Sequence, residues 1–148
     1  HDLGKTIINL SMPDEYRDIA EEVYNGNATY FDVEQEKLGF AHSDVGSYLI
    51  QKWNFPVELG KAIYYHHSIN EIDPSMMDPF QVKYICIIDV ANHFTKRLGV
   101  GYREPDDNVD IGSLKSLELL GVKVSQEDID VLTEKIGKVI EEEKSKFD

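Results

Sequence analysis

The chain has 148 residues, 41% hydrophobic and 29% charged, a one-domain length with enough apolar side chains for a core, unlike a disordered chain. Its formal net charge is -13, from 15 basic and 28 acidic residues with no Lys/Arg cluster, which argues against direct nucleic-acid binding. The longest apolar run, Tyr84 to Ala91, is too short to cross a bilayer and is interrupted by Asp89, so no membrane association is expected.

Helical spacing dominates the chain, and strand-like alternation is scarce. Leu3, Ile7 and Leu10 mark a first buried face. Tyr16, Ile19, Ala20, Val23 and Tyr24 form a second stripe, ending at Asn25-Gly26-Asn27. The acids between Asp14 and Glu36, eight against the single Arg17, are read as a solvated helix face. Val45, Tyr48, Leu49 and Trp53 form a third stripe, closed by Asn54, and Pro56 opens the next helix with Leu59, Ala62 and Ile63. Asp78-Pro79 predicts an N-cap followed by proline at the first helical position, and that helix runs to about Leu98 before Gly99 and Gly101. A loop over Gly101 to Asn108 leads to a short helix through Leu114, Leu117 and Leu120, stopped by Gly121. Ser125-Gln-Glu-Asp128 resembles a capping box, and Ile129, Leu132, Ile136 and Ile140 predict a last amphipathic helix whose Glu141–Lys144 end frays into solvent. The expectation is about seven helices in one compact all-α domain, motif-bearing over 1–98 with a helical extension over 110–147; a split near residue 105 is the weaker alternative.

Asp89 stands on one face of its helix with Val82, Ile85, Cys86 and His93, inside a segment apolar nearly all round. An unpartnered carboxylate there costs several kcal/mol, so it needs a cation or several donors. A structural Asp, paired with a lysine or capping a neighbouring helix, satisfies the same requirement. His66 and His67 follow Leu59 and Ile63 at helical offsets, separated by ~100° around the helix, and suit a site that receives both. A lone histidine on such a face is usually a satisfied core residue. His42 lies on the Val45/Leu49 side of its helix, with Gly46 one turn later allowing close approach of another element. His1-Asp2 opens the segment whose Leu3, Ile7 and Leu10 mark the first buried face; imidazoles with carboxylates are the usual ligands of Zn, Fe or Mn, and the four histidines His1, His42, His66 and His67 with Asp2 and Asp89 exceed the needs of one tetrahedral ion. No nucleophile elbow, phosphate-cradling glycine loop or Cys-x-x-Cys competes. Cys86, the single cysteine, is read as an inert core thiol, and its solitude fits a reducing cytoplasm. No signal peptide is visible, although the chain starts at His1 rather than Met.

His1-Asp2-Leu3-Gly4-Lys5 resembles the HD signature of the HD phosphohydrolase superfamily. The stretch from Glu34 through Leu38-Gly39-Phe40-Ala41-His42, Gly46 and Trp53 to Pro56, and then Ala62-Ile-Tyr-Tyr-His66-His67, resemble the HDOD branch; Ile88-Asp89-Val-Ala91 is similar to its later aspartate segment. The resemblance runs from residue 1 to about 95, whereas residues 100 to 148 match only in being helical. It implies an HD-superfamily helical bundle and an output domain of bacterial signalling, acting with a partner protein or an attached sensor or receiver domain. It also implies that a helical portion preceding the HD dipeptide is absent, making this the C-terminal part of such a domain.

Carried over residue by residue, the resemblance implies His1, Asp2, His42, His66, His67 and Asp89 as ligands of one or two divalent transition ions, Fe, Mn or Zn, with Asp2 as the bridge. Lys5 matches a lysine near the substrate phosphate of the related HD-GYP phosphodiesterases; a solvent-exposed helix lysine is the alternative. Asp2 and Lys5 are thus the expected catalytic pair, acting on a nucleotide or another phosphodiester. His93 has no place in the motif and is read as lying behind the ligands or in the core. After the His-His pair, HD-GYP enzymes continue through Gly-Tyr-Pro, whereas this chain reads Ser68-Ile-Asn-Glu-Ile-Asp-Pro74. Many HDOD members have lost metal ligands and act without catalysis; this chain keeps its set. Two expectations follow: a metal-dependent phosphohydrolase within a signalling domain, or a relay module whose metal site is structural or empty.

Overall fold

The computed structural model describes residues 1–26, 28–102 and 104–146, and these form eight α-helices and one short 3-10 turn, with no strand among them. The all-α class is as expected. Asn27 of the expected helix stop, Arg103 of the expected loop and residue 147 of the C-terminal extension lie outside the described residues. The chain divides into two compact units, His1–Ile88 and Asp89–Asp148, and the division falls inside a helix.

The first unit contains α1 (Leu3–Ser11), α2 (Pro13–Asn25), α3 (Tyr30–Leu38), α4 (His42–Lys52) and α5 (Val57–Tyr65), followed by a 3-10 turn at Pro74–Met76. Helix α4 is the hub, packing against α1, α3 and α5, while α2 packs against α1 and α3. The buried face of α1 is Gly4 and Ile8; Leu3 and Leu10, expected to be buried, are exposed. A Cβ on Gly4 would lie 1.9 Å from the His42 carbonyl oxygen, so this face is selected by the smallest residue, which alone permits the crossing. Gly46 plays the expected part on α4: a Cβ there would stand 2.9 Å from Ile63 Cγ2 and 3.7 Å from the Gly4 nitrogen.

The buried face of α4 also differs from the expected stripe. His42, Ser43, Gly46, Ser47 and Ile50 point inward, while Tyr48 and Trp53 are exposed. Small and polar residues face in because α1 and α5 approach the α4 backbone closely, leaving no room for large apolar side chains. The chain leaves α4 through Asn54 at φ 55, with Phe55 N–H donating to Ile50 C=O, and Pro56 sits at the N-cap of α5.

Helix α3 has no counterpart among the expected helices. Thr29 caps it: the Asp32 amide donates to Thr29 Oγ1 at 3.2 Å, and Thr29 N–H and Oγ1–H both donate to the Asp32 carboxylate.

Helix α6 (Pro79–Arg97) begins as the Asp78-Pro79 signal requires, with Phe80 N–H donating to Asp78 Oδ1 at 2.8 Å. Val82, Ile85, Cys86 and Asp89 are buried along one face, but Tyr84 and Ile87 are exposed, so the helix is not enclosed all round. Gly99 and Gly101 follow it with φ of 70° and 79°.

In the second unit, Phe94, Val109, Ile111, Leu117 and Ile129 form the core, with Val90, Leu114, Val124 and Ile136 packed against it. Helix α7 (Lys115–Leu120) ends at Gly121, and α8 (Gln126–Lys144) starts with the expected capping box, Ser125 Oγ accepting from Asp128 N–H at 3.1 Å. The Glu141–Lys144 end is exposed yet remains helical, with Lys144 Nζ 2.9 Å from Glu141.

Candidate metal centre

Three helix ends of the first unit bring the site together, the starts of α1 and α4 and the end of α5. Asp2 precedes α1 at its N-cap position, but its carboxylate makes no capping bond and is left for other partners. His42 is the first residue of α4 and is fully buried. His66 and His67 were expected to continue a helix; α5 instead ends at Tyr65, and the pair occupies the turn that follows. That turn brings both rings to one side, with centroids 3.9 Å apart. His66 is buried and His67 is exposed.

Four ligand atoms, one each from Asp2, His42, His66 and His67, lie within 4.8 Å of one another. His42 Nε2 stands 3.0 Å from His67 Nε2, 3.3 Å from His66 Nε2 and 3.3 Å from Asp2 Oδ1, while His66 Nε2 is 3.6 Å from Asp2 Oδ1. A tetrahedron with metal–ligand bonds of about 2.0–2.1 Å has edges of about 3.3–3.4 Å. Four of the six spacings, from 3.0 to 3.6 Å, bracket that value, and all six lie within 4.8 Å.

The proton inventory makes the same point. His66 Nδ1 lies 2.5 Å from Ile63 C=O, which can only accept, so Nδ1 donates and Nε2 carries a lone pair. His42 Nδ1 lies 2.5 Å from Glu34 Oε2, which also accepts the His42 backbone N–H at 2.7 Å. With Nδ1 donating there, Nε2 of a neutral His42 also carries a lone pair. These lone pairs converge on Asp2 Oδ1, a buried oxygen with no hydrogen-bond donor. Electron pairs facing one another around an orphaned carboxylate oxygen require a cation, either a proton on an imidazole or a metal ion. The residues fit a metal ion.

The electrostatics follow from the proton alternative. Burial raises the Asp2 carboxyl, but hydrogen bonds from His42, His66 and Lys5, with the Lys5 charge, overcome it and hold the group well below the carboxylate range. Burial likewise opposes protonation of His42, yet Asp2 and Glu34 outweigh it and raise its pKa. His67 keeps part of its surface in solvent, but desolvation of the ring on the side facing the cluster, and then the charges of His66, His42 and Lys5, push it down to about 3. Tyr16 is raised, by burial and then by the negative charge of Glu34.

The remaining expected residues fall in different places. His1 is beside the group: its Nε2 is 3.6 Å from Asp2 Oδ1 and its ring meets His66 edge-on at 4.9 Å, although it is not among the four ligand residues. Lys5 Nζ donates to Asp2 Oδ2 at 2.9 Å and lies 5.0 Å from the Tyr30 ring centre, so it is partly buried rather than a free surface lysine. Asp89 belongs to the second unit, where its buried carboxylate accepts a short hydrogen bond from Ser116 Oγ of α7. His93 Nδ1 faces Asp89 C=O at 2.8 Å and Asp89 Oδ1 at 3.6 Å.

Glu34 escaped the sequence reading as a functional residue. A signal was present: Tyr30, Val33 and Glu34 recur at helical spacing, which puts an acid on the inward stripe of α3, eight residues before His42.

A scan against family models matches residues 1–69 to the HDOD domain. The HDOD match contains all four ligand residues together with Lys5 and Glu34, and it ends before Asp89, short of the expected extent to about residue 95. It does not place this stretch in the C-terminal part of that domain. No curated protein and no solved structure matches the chain. The match supports a signalling-related, HD-like domain, and the His/Asp cluster is compatible with a metal site. Among the described residues no helix is long and apolar enough to cross a membrane.

Proposed function

We propose that this chain is the output domain of a bacterial signalling protein of HDOD type, carrying a divalent transition metal, Fe, Mn or Zn, on Asp2, His42, His66 and His67. The observation that carries it is the convergence of imidazole Nε2 atoms on the buried, donor-less Asp2 Oδ1. Such a metal supplies Lewis acidity and lowers the pKa of a water it binds. The chain's own groups complete a phosphohydrolase-like arrangement: Lys5 holds Asp2 Oδ2 and offers positive charge to an anionic phosphodiester, while His1 borders the cluster. A signalling partner or attached sensor or receiver domain acts on the bundle, in a cytoplasmic setting. Elemental analysis of the full chain tests the reading. One equivalent of transition metal, lost in a folded Asp2→Ala variant, is expected; a carefully prepared protein that takes up no Fe, Mn or Zn overturns it.

Wider ligation, with His1 and Asp89 added for a second ion, is a separate proposal that rests on the HD resemblance. A metal-to-chain ratio of two, falling to one in Asp89→Asn, supports it.

The second reading is a non-catalytic relay in which the metal is structural. Ser68–Pro74 favours it, standing where HD-GYP enzymes carry Gly-Tyr-Pro. A metal-loaded protein that hydrolyses no generic phosphodiester, and whose signalling survives Lys5→Ala, supports the relay; hydrolysis lost in Lys5→Ala supports the enzyme.

A further inference from the structure

Glu34 is a fully buried carboxylate on α3 that ligates nothing, makes no salt bridge to Lys or Arg among the described residues, and yet touches His42 twice. One oxygen, Oε2, accepts both the His42 backbone N–H at 2.7 Å and ring Nδ1–H at 2.5 Å, while Oε1 is buried without a donor. Burying an acid this way costs several kcal/mol of desolvation. A packing role would be met as well by leucine or methionine, so the carboxylate calls for a chemical reason. The double contact supplies one. The backbone bond fixes where Oε2 sits relative to the first turn of α4, and the ring must then turn its Nδ1 edge to that oxygen. The opposite edge, Nε2, is left facing Asp2, His66 and His67.

The geometry points to Glu34 as a positioning residue that fixes the Nδ1–H tautomer and ring orientation of His42, and so presents its Nε2 lone pair to a divalent transition metal. This rests on the metal-centre reading above. The Nδ1 edge of His66 is oriented by a neutral carbonyl, Ile63 C=O, whereas that of His42 is oriented by a carboxylate. Glu34 therefore also makes His42 a more basic nitrogen donor than His66, because a carboxylate accepting from Nδ1 pushes electron density toward Nε2.

The test uses the full 148-residue chain, stripped of metal by chelation, and three proteins: wild type, Glu34→Gln and Glu34→Met. Imidazole nitrogen NMR reads the His42 tautomer, and chelator competition with Zn²⁺ or Co²⁺ reads affinity. At alkaline pH, where the ring is neutral, wild type should show the Nδ1–H form. Glu34→Met keeps the buried volume but removes the acceptor; it should mix the two tautomers and bind metal roughly 10–100-fold more weakly, the usual effect of losing a group that orients a ligand. Glu34→Gln, whose amide oxygen still accepts, should keep the tautomer and recover most of the affinity. A folded Glu34→Met protein with wild-type tautomer and affinity overturns the inference, and so does a wild type in the Nε2–H form, which needs no variant to fold. If wild type takes no metal yet shows the Nδ1–H form, lost in Glu34→Met, the metal centre falls and the orienting role stands.

Discussion

Gly4 passes so close beneath His42 that a Cβ on the glycine would lie 1.9 Å from the His42 carbonyl oxygen and 2.9 Å from its Cα. The obstacle is backbone at the start of α4, which cannot rotate aside as a side chain would. Gly4→Ala must therefore drive α1 and α4 apart where Asp2 meets His42. The expected loss is at the upper end of overpacking effects, about 3 kcal/mol, or a fall in Tm of roughly 6–12 °C for a chain of this size. Metal uptake should fall with it. Gly39→Ala is the control: Gly39 has φ +75 but nothing within 4 Å of an added Cβ, so only the left-handed backbone opposes it, costing about 1 kcal/mol. Equal Tm losses in the two variants would contradict the close-crossing explanation.

Asp2→Asn separates charge from shape. An asparagine amide can turn its NH₂ toward the lone pairs of His42 and His66, supplying donors where Asp2 Oδ1 has none. With His42 neutral, at a pH above its pKa, the metal-free variant should be as stable as wild type within about 1 kcal/mol, and at lower pH it should be less stable because the charge that holds the His42 proton is gone. Its affinity for Zn²⁺ or Co²⁺ should fall by more than the ~10–100-fold lost with an orienting group, since a ligand and a negative charge disappear together. Thermal melts with and without metal check both halves. An Asn variant that binds metal like wild type would remove Asp2 from the site.

The helix count and boundaries were largely legible because caps and glycine stops are local chemistry: Asp78-Pro79, Ser125 with Asp128, and Gly121 all act where the sequence puts them. The inward faces of α1 and α4 were not. Burial by hydrophobic spacing assumes that large apolar residues seek the interior, whereas a close helix crossing selects Gly4, Gly46 and Ser47 and turns Leu10 and Tyr48 outward. Helix α3 was hidden for a related reason: its buried stripe contains an acid, Glu34, and acids were counted as solvent face. Asp2, His42, His66 and His67 could be singled out from the sequence, together with His1 and Asp89, but their meeting was not legible, because Asp2, His42 and the His66-His67 turn converge only once the crossing of α1 on α4 is fixed.

Asp89 makes a different prediction. Its carboxylate accepts from Ser116 Oγ, and both groups are buried in the second unit. Ser116→Ala removes a donor from a buried carboxylate and should cost about 1–3 kcal/mol without changing the metal bound by the four-residue group. Asp89→Asn should likewise destabilise the protein while leaving one ion per chain, because the four ligand atoms are complete without it. Loss of all bound metal from a folded Asp89→Asn protein would show that the four-residue set is insufficient.

Metal-free stability and metal affinity should run in opposite directions with pH, because both depend on the same proton at His42. Its folded pKa is raised above 6.5, with Asp2 and Glu34 outweighing burial. The folded protein therefore holds that proton in a window where the unfolded chain has released it. This contribution is complete below pH 6.5 and is lost as pH rises through the folded value. Metal, by contrast, needs the Nε2 lone pair that the proton occupies, so affinity should increase through the same window. His67 adds an opposite slope at lower pH. Held down to about 3, it stays neutral between pH 3 and 6.5 while its unfolded counterpart is protonated, so its contribution is present above 6.5 and fades as pH falls. The chelated protein should thus gain Tm from pH 5 to about 6.5 and lose it above, while Co²⁺ affinity climbs across the upper half. Histidine NMR titration assigns the two limbs: His42 must titrate above 6.5 and His67 well below it, and a His42 that titrates at or below 6.5 would refute the shared-proton account.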